Sequence, residues 1–305
     1  MISCGGETDT NRTQASILLI AVFMARGTSF LFSKTLMGSM TPMSILAVRF
    51  ILAFLVLAVL FNGKLRRCDR NSFRGGLILG ILYTICMVFE MFGLKRVDSG
   101  IASLIENMAI VLVPVFVAVL TRTMPKKKTM FCALLAVAGV WFLSVAQSRI
   151  SGGGAGILLT ISAAVTYAFC IMATEKVSRD ADPITIGIVQ LGTMGMLSLV
   201  ISLLTGSFGL PQTGNQWAMI LMLVFVCSCF GFAFQPLGQK YLPAETAAVF
   251  TVVNPLTASI LGIAVAGEQV NAVKMAGYAL ILAALVIYNI KGDQNGQSKA
   301  TGSSR

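Results

Sequence analysis

The feature that most constrains this chain is a succession of apolar runs separated by short polar breaks. Each run has about 20 residues, the length of helix that crosses the roughly 30 Å hydrocarbon core of a bilayer. Backbone groups in lipid must be hydrogen-bonded internally, and the runs lack the alternation that is typical of barrel strands. We therefore predict an all-α membrane protein.

The runs predict ten transmembrane helices, with glycine, proline and charged residues at the breaks. Their predicted ranges are 14–35, 43–62, 74–94, 100–120, 129–147, 155–174, 184–205, 217–235, 246–266 and 272–290. Residues 1–13 and 291–305 are then short cytoplasmic tails. Only 11% of the residues are charged, against about a quarter in a soluble domain, and no stretch remains for such a domain.

The distribution of basic residues predicts the orientation of these helices. If the N-terminus is cytoplasmic, the inside segments carry sixteen Lys and Arg and the outside segments carry five. Cytoplasmic loops of membrane proteins are enriched in these residues. We predict a multi-pass protein of a bacterial cytoplasmic (inner) membrane with both termini in the cytoplasm. The net charge of +11 then reflects topology, and no nucleic-acid partner is expected.

The composition also narrows the chemistry that the chain can perform. Histidine is absent, which removes His-based metal sites and Ser-His-Asp triads. The seven cysteines show no metal-ligand spacing, and most lie in apolar runs, where cysteine acts as a small hydrophobe. We expect no metal, no cofactor and no enzyme activity, since a lipid enzyme would need a nucleophile and base that the sequence does not show.

The two halves of the chain resemble each other. The segment "ILLIAVFMARGTSFLFSK" aligns with "ILLTISAAVTYAFCIMATEK" at an offset of 140–141, and "KTMFCALLAVAGVWF" aligns with "KMAGYALILAALVIY" at an offset of 146. These offsets pair helix 1 with helix 6 and helix 5 with helix 10. Because each unit has an odd number of spans, we predict two inverted five-helix repeats, 14–147 and 148–290. Inverted repeats are typical of secondary transporters, whose substrate site lies between them near the midplane.

Three motifs suggest a family. In order and spacing, "ARGTSFLFSK" in helix 1, "LAVRFILA" in helix 2 and "NPLTASILGIAVAGEQV" near the end of the chain resemble elements of EamA-type members of the drug/metabolite transporter superfamily. The resemblance covers about residues 14–290. It implies ten helices in two inverted EamA units and carriage of small metabolites without ATP, commonly as export. Arg26 stands where the family commonly has Trp.

Four ionisable residues fall inside the predicted helices, namely Arg26, Arg49, Glu90 and Glu106. A charge at the bilayer centre costs about 2.5–3.5 kcal/mol on insertion scales, so such residues usually face the bundle interior and serve a function. A guanidinium gives two parallel hydrogen bonds to a carboxylate or phosphate. We predict that Arg26 grips an anionic group of the substrate, with Glu106 as counter-ion and protons as a candidate coupling ion. The alternative is a purely internal ion pair of Arg26 with Glu106 or Glu90.

The remaining candidates are assigned with their alternatives. Arg49 is predicted as a structural ion pair or a contact at the cavity lip, with substrate contact as the alternative. Glu90 is a substrate-binding candidate, but it lies near enough to the surface to pair with Lys95 or Arg96 instead. Further substrate-binding candidates are aromatic or polar groups in the apolar runs: Phe30, Tyr83, Asn107, Tyr167, Gln235, Thr251 and Asn254.

These features predict a secondary transporter that moves small organic metabolites by alternating access, with export as the expected direction. The expected substrates are amino acids, related zwitterions or organic anions, and the expected state is a monomer or homodimer in the lipid bilayer. A channel or a membrane-embedded sensor is the alternative function. A channel usually repeats one helix set around a symmetric pore and a sensor usually carries a soluble domain, and the sequence shows neither feature.

Overall fold

A computed structural model describes residues 4–97, 102, 105–124, 127–147, 154–266 and 272–289. Within these residues the regular elements are helices, with no strand. Six helical segments are long and apolar enough to cross a membrane: Asn11–Leu36, Pro42–Leu60, Arg70–Leu94, Gly154–Arg179, Pro183–Leu204 and Gly214–Gln239. The prediction of an all-α membrane protein is thereby confirmed, and the count of ten spans in two inverted repeats stays a prediction.

The described helices follow the predicted runs closely. They are α1 Cys4–Gly27, α2 Ser29–Leu36, α3 Pro42–Leu60, α4 Asn62–Arg66, α5 Arg70–Leu94, α6 Ala109–Thr121, α7 Lys127–Gln147, α8 Gly154–Arg179, α9 Pro183–Leu204, α10 Gly214–Met222, a π-helical segment Leu223–Phe232, α11 Gln235–Gln239, α12 Ala244–Phe250, α13 Val253–Ala266 and α14 Ala272–Asn289. The predicted start of helix 4, at residue 100, lies outside the described residues.

Three predicted helices are interrupted, which the hydropathy pattern did not indicate. Predicted helix 1 begins at Cys4 instead of residue 14 and breaks at Thr28. At this break the Ala25 carbonyl accepts hydrogen bonds from the Thr28 hydroxyl at 2.8 Å and from the Cys227 thiol at 3.2 Å. Helix 9 is interrupted between α12 and α13, and helix 8 passes through the π-helical segment. Side chains that bond to a helix carbonyl are a recognised cause of such kinks.

Several helices begin at capping residues that the sequence places directly before an apolar run. In each case the side chain accepts a hydrogen bond from a backbone N–H of the first turn, and these residues are Thr41, Asp69, Asp182 and Thr213. Partial burial raises the pKa of Asp182, but hydrogen bonds from Thr185 and the charge of Lys64 outweigh it. The pKa of that carboxyl therefore lies below its usual value, and the cap is ionised at neutral pH.

Helices α3 and α9 pack against each other along their length and run in opposite directions. The Ser44 hydroxyl lies 3.4 Å from that of Ser202, whereas Gly195, further back along α9, lies against the backbone of Ile51. This antiparallel register joins a helix of the first half of the chain to its counterpart in the second half.

Helix α5 packs against both α8 and α9. It carries the buried residues Tyr83 and Glu90. Gly80 allows close approach to α9, because a Cβ at that position would come within 2.4 Å of the Thr193 side chain. Toward the other end of α5, a Cβ on Gly93 would lie 2.6 Å from the hydroxyl oxygen of Thr160 of α8. Small residues at helix contacts are typical of membrane bundles.

Loops that were predicted to lie on the same side of the membrane contact each other. The Lys34 ammonium donates hydrogen bonds to the carbonyls of Leu94, at 2.6 Å, and Val97, at 3.2 Å. Lys64 forms an ion pair of 3.3 Å with Asp182. The first contact lies at the predicted outer ends of helices 1 and 3, and the second at the predicted inner loops.

Candidate functional site

Arg26 lies in the centre of the bundle, with only 6% of its surface exposed. Helix α1 carries it, and its Nη1 donates hydrogen bonds to the hydroxyl of Tyr167, at 3.1 Å, and to Oε1 of Gln235, at 2.7 Å. These partners belong to α8 and α11, so the guanidinium joins both halves of the chain. Its Nε and Nη2 make no hydrogen bond to any residue that the structure describes.

Three aromatic rings surround the guanidinium of Arg26. Its Cζ lies 4.2 Å from the ring centroid of Phe232, 5.1 Å from that of Tyr167 and 5.8 Å from that of Tyr83. Tyr83 packs edge-on against both other rings, at centroid distances of 6.5 and 5.6 Å. Cations within about 6 Å of a ring centroid are stabilised by the ring electrons, so the cage supports the charge without a carboxylate.

Gln235 is the hub of the buried hydrogen-bond network. Its Oε1 accepts from Arg26, while its Nε2 donates to the hydroxyl of Tyr83, at 2.8 Å, and to Oε1 of Gln239, at 2.9 Å. Gln239 donates in turn to the backbone carbonyl of Ile171, at 3.2 Å. The network fixes the orientation of the Gln235 amide, because its oxygen must face the cation and its nitrogen the two acceptors.

Arg49 is even more deeply buried than Arg26, with 1% exposed. Its Nε donates to the hydroxyl of Ser228, at 2.7 Å, and its Nη1 to that of Ser29, at 2.9 Å, whereas Nη2 has no partner. Its Cζ lies 5.6 Å from the centroid of Phe232, so two guanidinium groups share this ring. Among the described residues no carboxylate lies within 4 Å of Arg49, so the predicted ion pair is not found there, and the cavity-lip position stays a prediction.

Glu90 and Glu106 are also buried, at 9% and 5% exposed, and Oε2 of each has no hydrogen-bond partner. Both interact electrostatically with Arg26. Neither forms an ion pair with it, because the described ion pairs are Lys64–Asp182 and Glu175–Arg179. The direct pairing of Arg26 with Glu106 or Glu90, and that of Glu90 with Lys95 or Arg96, is therefore absent from the described part of the chain.

The other predicted residues lie at varying distances from this network. Asn254 is buried, and its Oδ1 has no hydrogen-bond partner. A Cβ added to Gly27 would lie 2.5 Å from the backbone oxygen of Asn254. Thr251 is fully buried, and its hydroxyl donates to the Ala248 carbonyl. Asn107 is buried beside Glu106. Phe30 packs in a separate apolar cluster with Leu94, Val97 and Ala102.

The structure thus brings together Arg26, Tyr83, Tyr167 and Gln235 from the predicted set. Sequence reasoning did not assign Phe232, which stacks on both arginines, or Gln239, which orients Gln235. For Gln239, the only signal in the sequence was its position one helical turn after Gln235. One phenylalanine among 19 carries no signal that separates it from lipid-facing ones.

This arrangement is suited to binding an anionic group. A guanidinium with unbonded N–H groups in an aromatic cage can hold a carboxylate or phosphate through two parallel hydrogen bonds. Among the described residues no group of three or more Cys, Asp or Glu could hold a metal ion. Arg26, Tyr83, Tyr167 and Gln235 are all buried.

Substitution of Gln235 by leucine tests the hub role. The change is expected to lower the thermal unfolding midpoint of the purified protein by several degrees, because it leaves the Tyr83 hydroxyl and the Gln239 amide without their shared partner. Each buried orphaned polar group costs about 1–3 kcal/mol. Gln212→Leu, at an exposed position, is the matched control and should leave the midpoint unchanged. Equal midpoints for the two variants would show that Gln235 is not a hub.

Both halves of the chain match the same protein family. The sequence profile of the EamA-like transporter family matches residues 13–145 and again residues 154–290. The two matches together span most of the chain, and they fall on the two halves that the internal repeat delimits.

Individual relatives and a solved structure extend this similarity. An uncharacterized transporter of Archaeoglobus fulgidus is 25% identical over 293 residues, which cover 94% of this chain and 89% of that protein. The uncharacterized inner membrane transporter YedA of Escherichia coli K12 is 22% identical over 283 residues, 89% of each chain. A protein of known crystal structure superposes with a TM-score of 0.76 at 16% identity, covering 91% of this chain and 96% of the other, which indicates a shared fold.

Proposed function

Because the chain belongs to the EamA-like transporter family, we propose that this multi-pass membrane transporter is a secondary transporter of small organic metabolites. Alternating access is the proposed mechanism, since the binding groups are buried and helix movement would expose them. The cytoplasmic membrane is the proposed location, with export as the direction and both termini inside. The printed name of the Escherichia coli relative, an inner membrane transporter, and the excess of basic residues in the assigned inner loops support this placement.

Two observations support inverted repeats as the basis of the mechanism. Helices α3 and α9, which are counterparts in the two halves, pack in antiparallel register. Arg26 and Tyr167 are separated by 141 residues and share a hydrogen bond, and this separation lies within the offset of 140–141 at which helices 1 and 6 align. In an inverted repeat, contact between equivalent residues would lie beside the pseudo-two-fold axis, which is where such transporters bind substrate.

The proposed substrates are amino acids, related zwitterions or organic anions. The observation that carries this proposal is the environment of Arg26, which is buried, bonded to neutral groups and free at Nε and Nη2 among the described residues. A buried cation with only neutral partners is costly, and an anionic substrate would complete its pairing. The site therefore favours a carboxylate or phosphate over an uncharged solute.

A substrate screen in reconstituted vesicles tests the proposed function. Purified protein is incorporated into liposomes, and uptake of labelled amino acids, organic acids and nucleosides is measured against protein-free liposomes. At least one compound with an anionic group should be taken up at a rate that saturates with concentration. Flux that stays linear and unselective at high concentration would favour a channel, and the absence of any flux would contradict a transporter of these solutes.

A further inference from the structure

Three buried acceptor oxygens near Arg26 have no hydrogen-bond donor. They are Oε2 of Glu90, Oε2 of Glu106 and Oδ1 of Asn254, and the three side chains are 9%, 5% and 6% exposed. Buried polar atoms in folded proteins nearly always have a partner, and each exception calls for an explanation such as an ion or ligand that is bound during function. Three acceptors of the same kind in one region point to a missing donor or cation.

The three groups belong to different parts of the chain, and each is linked to Arg26 or to its neighbour Gly27. Glu90 lies on α5, Glu106 lies directly before α6, and Asn254 lies in the first turn of α13. Glu90 and Glu106 interact electrostatically with each other and with Arg26. Asn254 adjoins Gly27, the residue after Arg26. The orphaned oxygens therefore border the predicted anion-binding guanidinium without bonding to it.

The charges in this region balance, but they are separated. Two guanidinium groups share the ring of Phe232 and bond to hydroxyl and amide groups, whereas the two carboxylates are left with unpaired oxygens. Both sets of charges are within the membrane, where ionisable residues are usually paired with one another. A ligand with only an anionic group would pair with the guanidinium groups and leave the two carboxylates unpaired.

We propose that Glu90 and Glu106 form a subsite for a monovalent cation close to the anion site of Arg26. This inference rests on the proposed function and adds to it that the loaded transporter holds an anionic and a cationic group together. A primary ammonium and an alkali cation both satisfy carboxylate and amide oxygens. The cation is thus either the ammonium of the substrate or a separate ion that travels with it. The loaded site then contains no unpaired charge.

Thermal unfolding of the purified full-length protein in detergent tests this subsite directly. Sodium, potassium and propylammonium chloride are each titrated against choline chloride at equal ionic strength, since the quaternary choline ion donates no N–H and is too large to be chelated. A cation that binds only the folded state raises the unfolding midpoint in a saturable way. We expect at least one of the three to do so in the wild-type protein.

Variants identify the residues that bind the cation. Glu90→Gln and Glu106→Gln each preserve shape and remove a charge, and they should raise the half-saturating cation concentration by about tenfold or more, which corresponds to the loss of one favourable charge interaction. Asp180→Asn removes an exposed carboxylate and should leave the titration unchanged. The midpoint of each variant in choline chloride reports whether it folds, and the second glutamate provides the test if the first variant does not.

The outcomes separate the possible sources of the cation. A response to propylammonium alone assigns the subsite to the ammonium of the substrate, and a response to sodium or potassium assigns it to a co-transported ion. If none of the three cations stabilises the protein more than choline between pH 5 and 8, the carboxyls are neutralised by protons and the inference is wrong. It is also wrong if both glutamine variants titrate like Asp180→Asn.

Failure of this inference can be distinguished from failure of the proposed function. The cation titrations need no transport, and the vesicle screen needs no knowledge of the cation. Saturable flux together with a negative cation titration would leave the transporter assignment intact and remove the subsite alone. Cation binding without flux of any screened compound would contradict the proposed function while the subsite itself remained.

Discussion

Replacement of Arg26 by glutamine is expected to reduce transport efficiency (kcat/KM) by about 100-fold or more. Removing one partner of a buried charged pair costs about 2–5 kcal/mol, and each 1.4 kcal/mol changes an equilibrium about tenfold. Glutamine keeps one hydrogen-bonding group in the aromatic cage but loses the cation that the substrate anion needs. The measurement is initial flux in vesicles with equal amounts of reconstituted wild-type and variant protein, for the best substrate of the screen.

Two further variants make the Arg26 result specific. Arg26→Lys keeps the charge and loses the planar fork that forms two parallel hydrogen bonds, so it should retain more activity than Arg26→Gln but less than the wild type. Arg179→Gln changes an exposed arginine that pairs with Glu175 and should transport normally. Wild-type flux in a folded Arg26→Gln protein would show that this guanidinium does not grip the substrate.

The second large effect is expected at Gly27, where α1 crosses α13. A Cβ at this position would lie 2.5 Å from the backbone oxygen of Asn254 and 2.9 Å from Cβ of Thr257. Backbone atoms cannot rotate away, so the helices would have to separate. Overpacking of this kind costs about 1–3 kcal/mol. Gly27→Ala should lower the unfolding midpoint by roughly 5 °C and, because Arg26 is the preceding residue, reduce flux by about tenfold.

Gly63→Ala is the matched control for the Gly27 variant. Gly63 lies in the short helix α4, and a Cβ there would meet nothing within 4 Å. Alanine is favoured over glycine within a helix by about 0.5–1 kcal/mol, so this variant should be as stable as the wild type or slightly more so, with unchanged flux. If Gly27→Ala behaved in the same way, the close crossing of α1 and α13 would be contradicted.

Much of the fold could be predicted from the sequence because the bilayer restricts the choice of structure. Apolar runs of the right length can only be helices in lipid, and the predicted boundaries of helices 2, 3, 6 and 7 agree with α3, α5, α8 and α9 to within a few residues. The breaks in helices 1 and 9 could not be predicted. The break at Thr28 involves the Ala25 carbonyl, which accepts a bond from Cys227 of a distant helix, and hydropathy contains no information about such a bond.

The candidate site, too, could be predicted from the sequence only in part. Arg26 stood out because a charge is costly within an apolar run, and the structure places it at the centre of the network. The predicted pairing with Glu106 or Glu90 is replaced by bonds to Tyr167 and Gln235. A sequence indicates which charges are buried, but the partner of each depends on distances of a few ångströms between helices.

By itself, the sequence determined the membrane class, the positions of the main helices and the buried ionisable residues, because each follows from the energy of transferring local groups into lipid. The likeness of the two halves was visible in the aligned residues themselves. Only the tertiary structure decided that Phe232 contacts both Arg26 and Arg49, that Gln239 orients Gln235, and that the carboxylates form no ion pair with the arginines among the described residues. The physical reason is that helix periodicity fixes which residues share a face, whereas the packing of one helix against another fixes which faces meet.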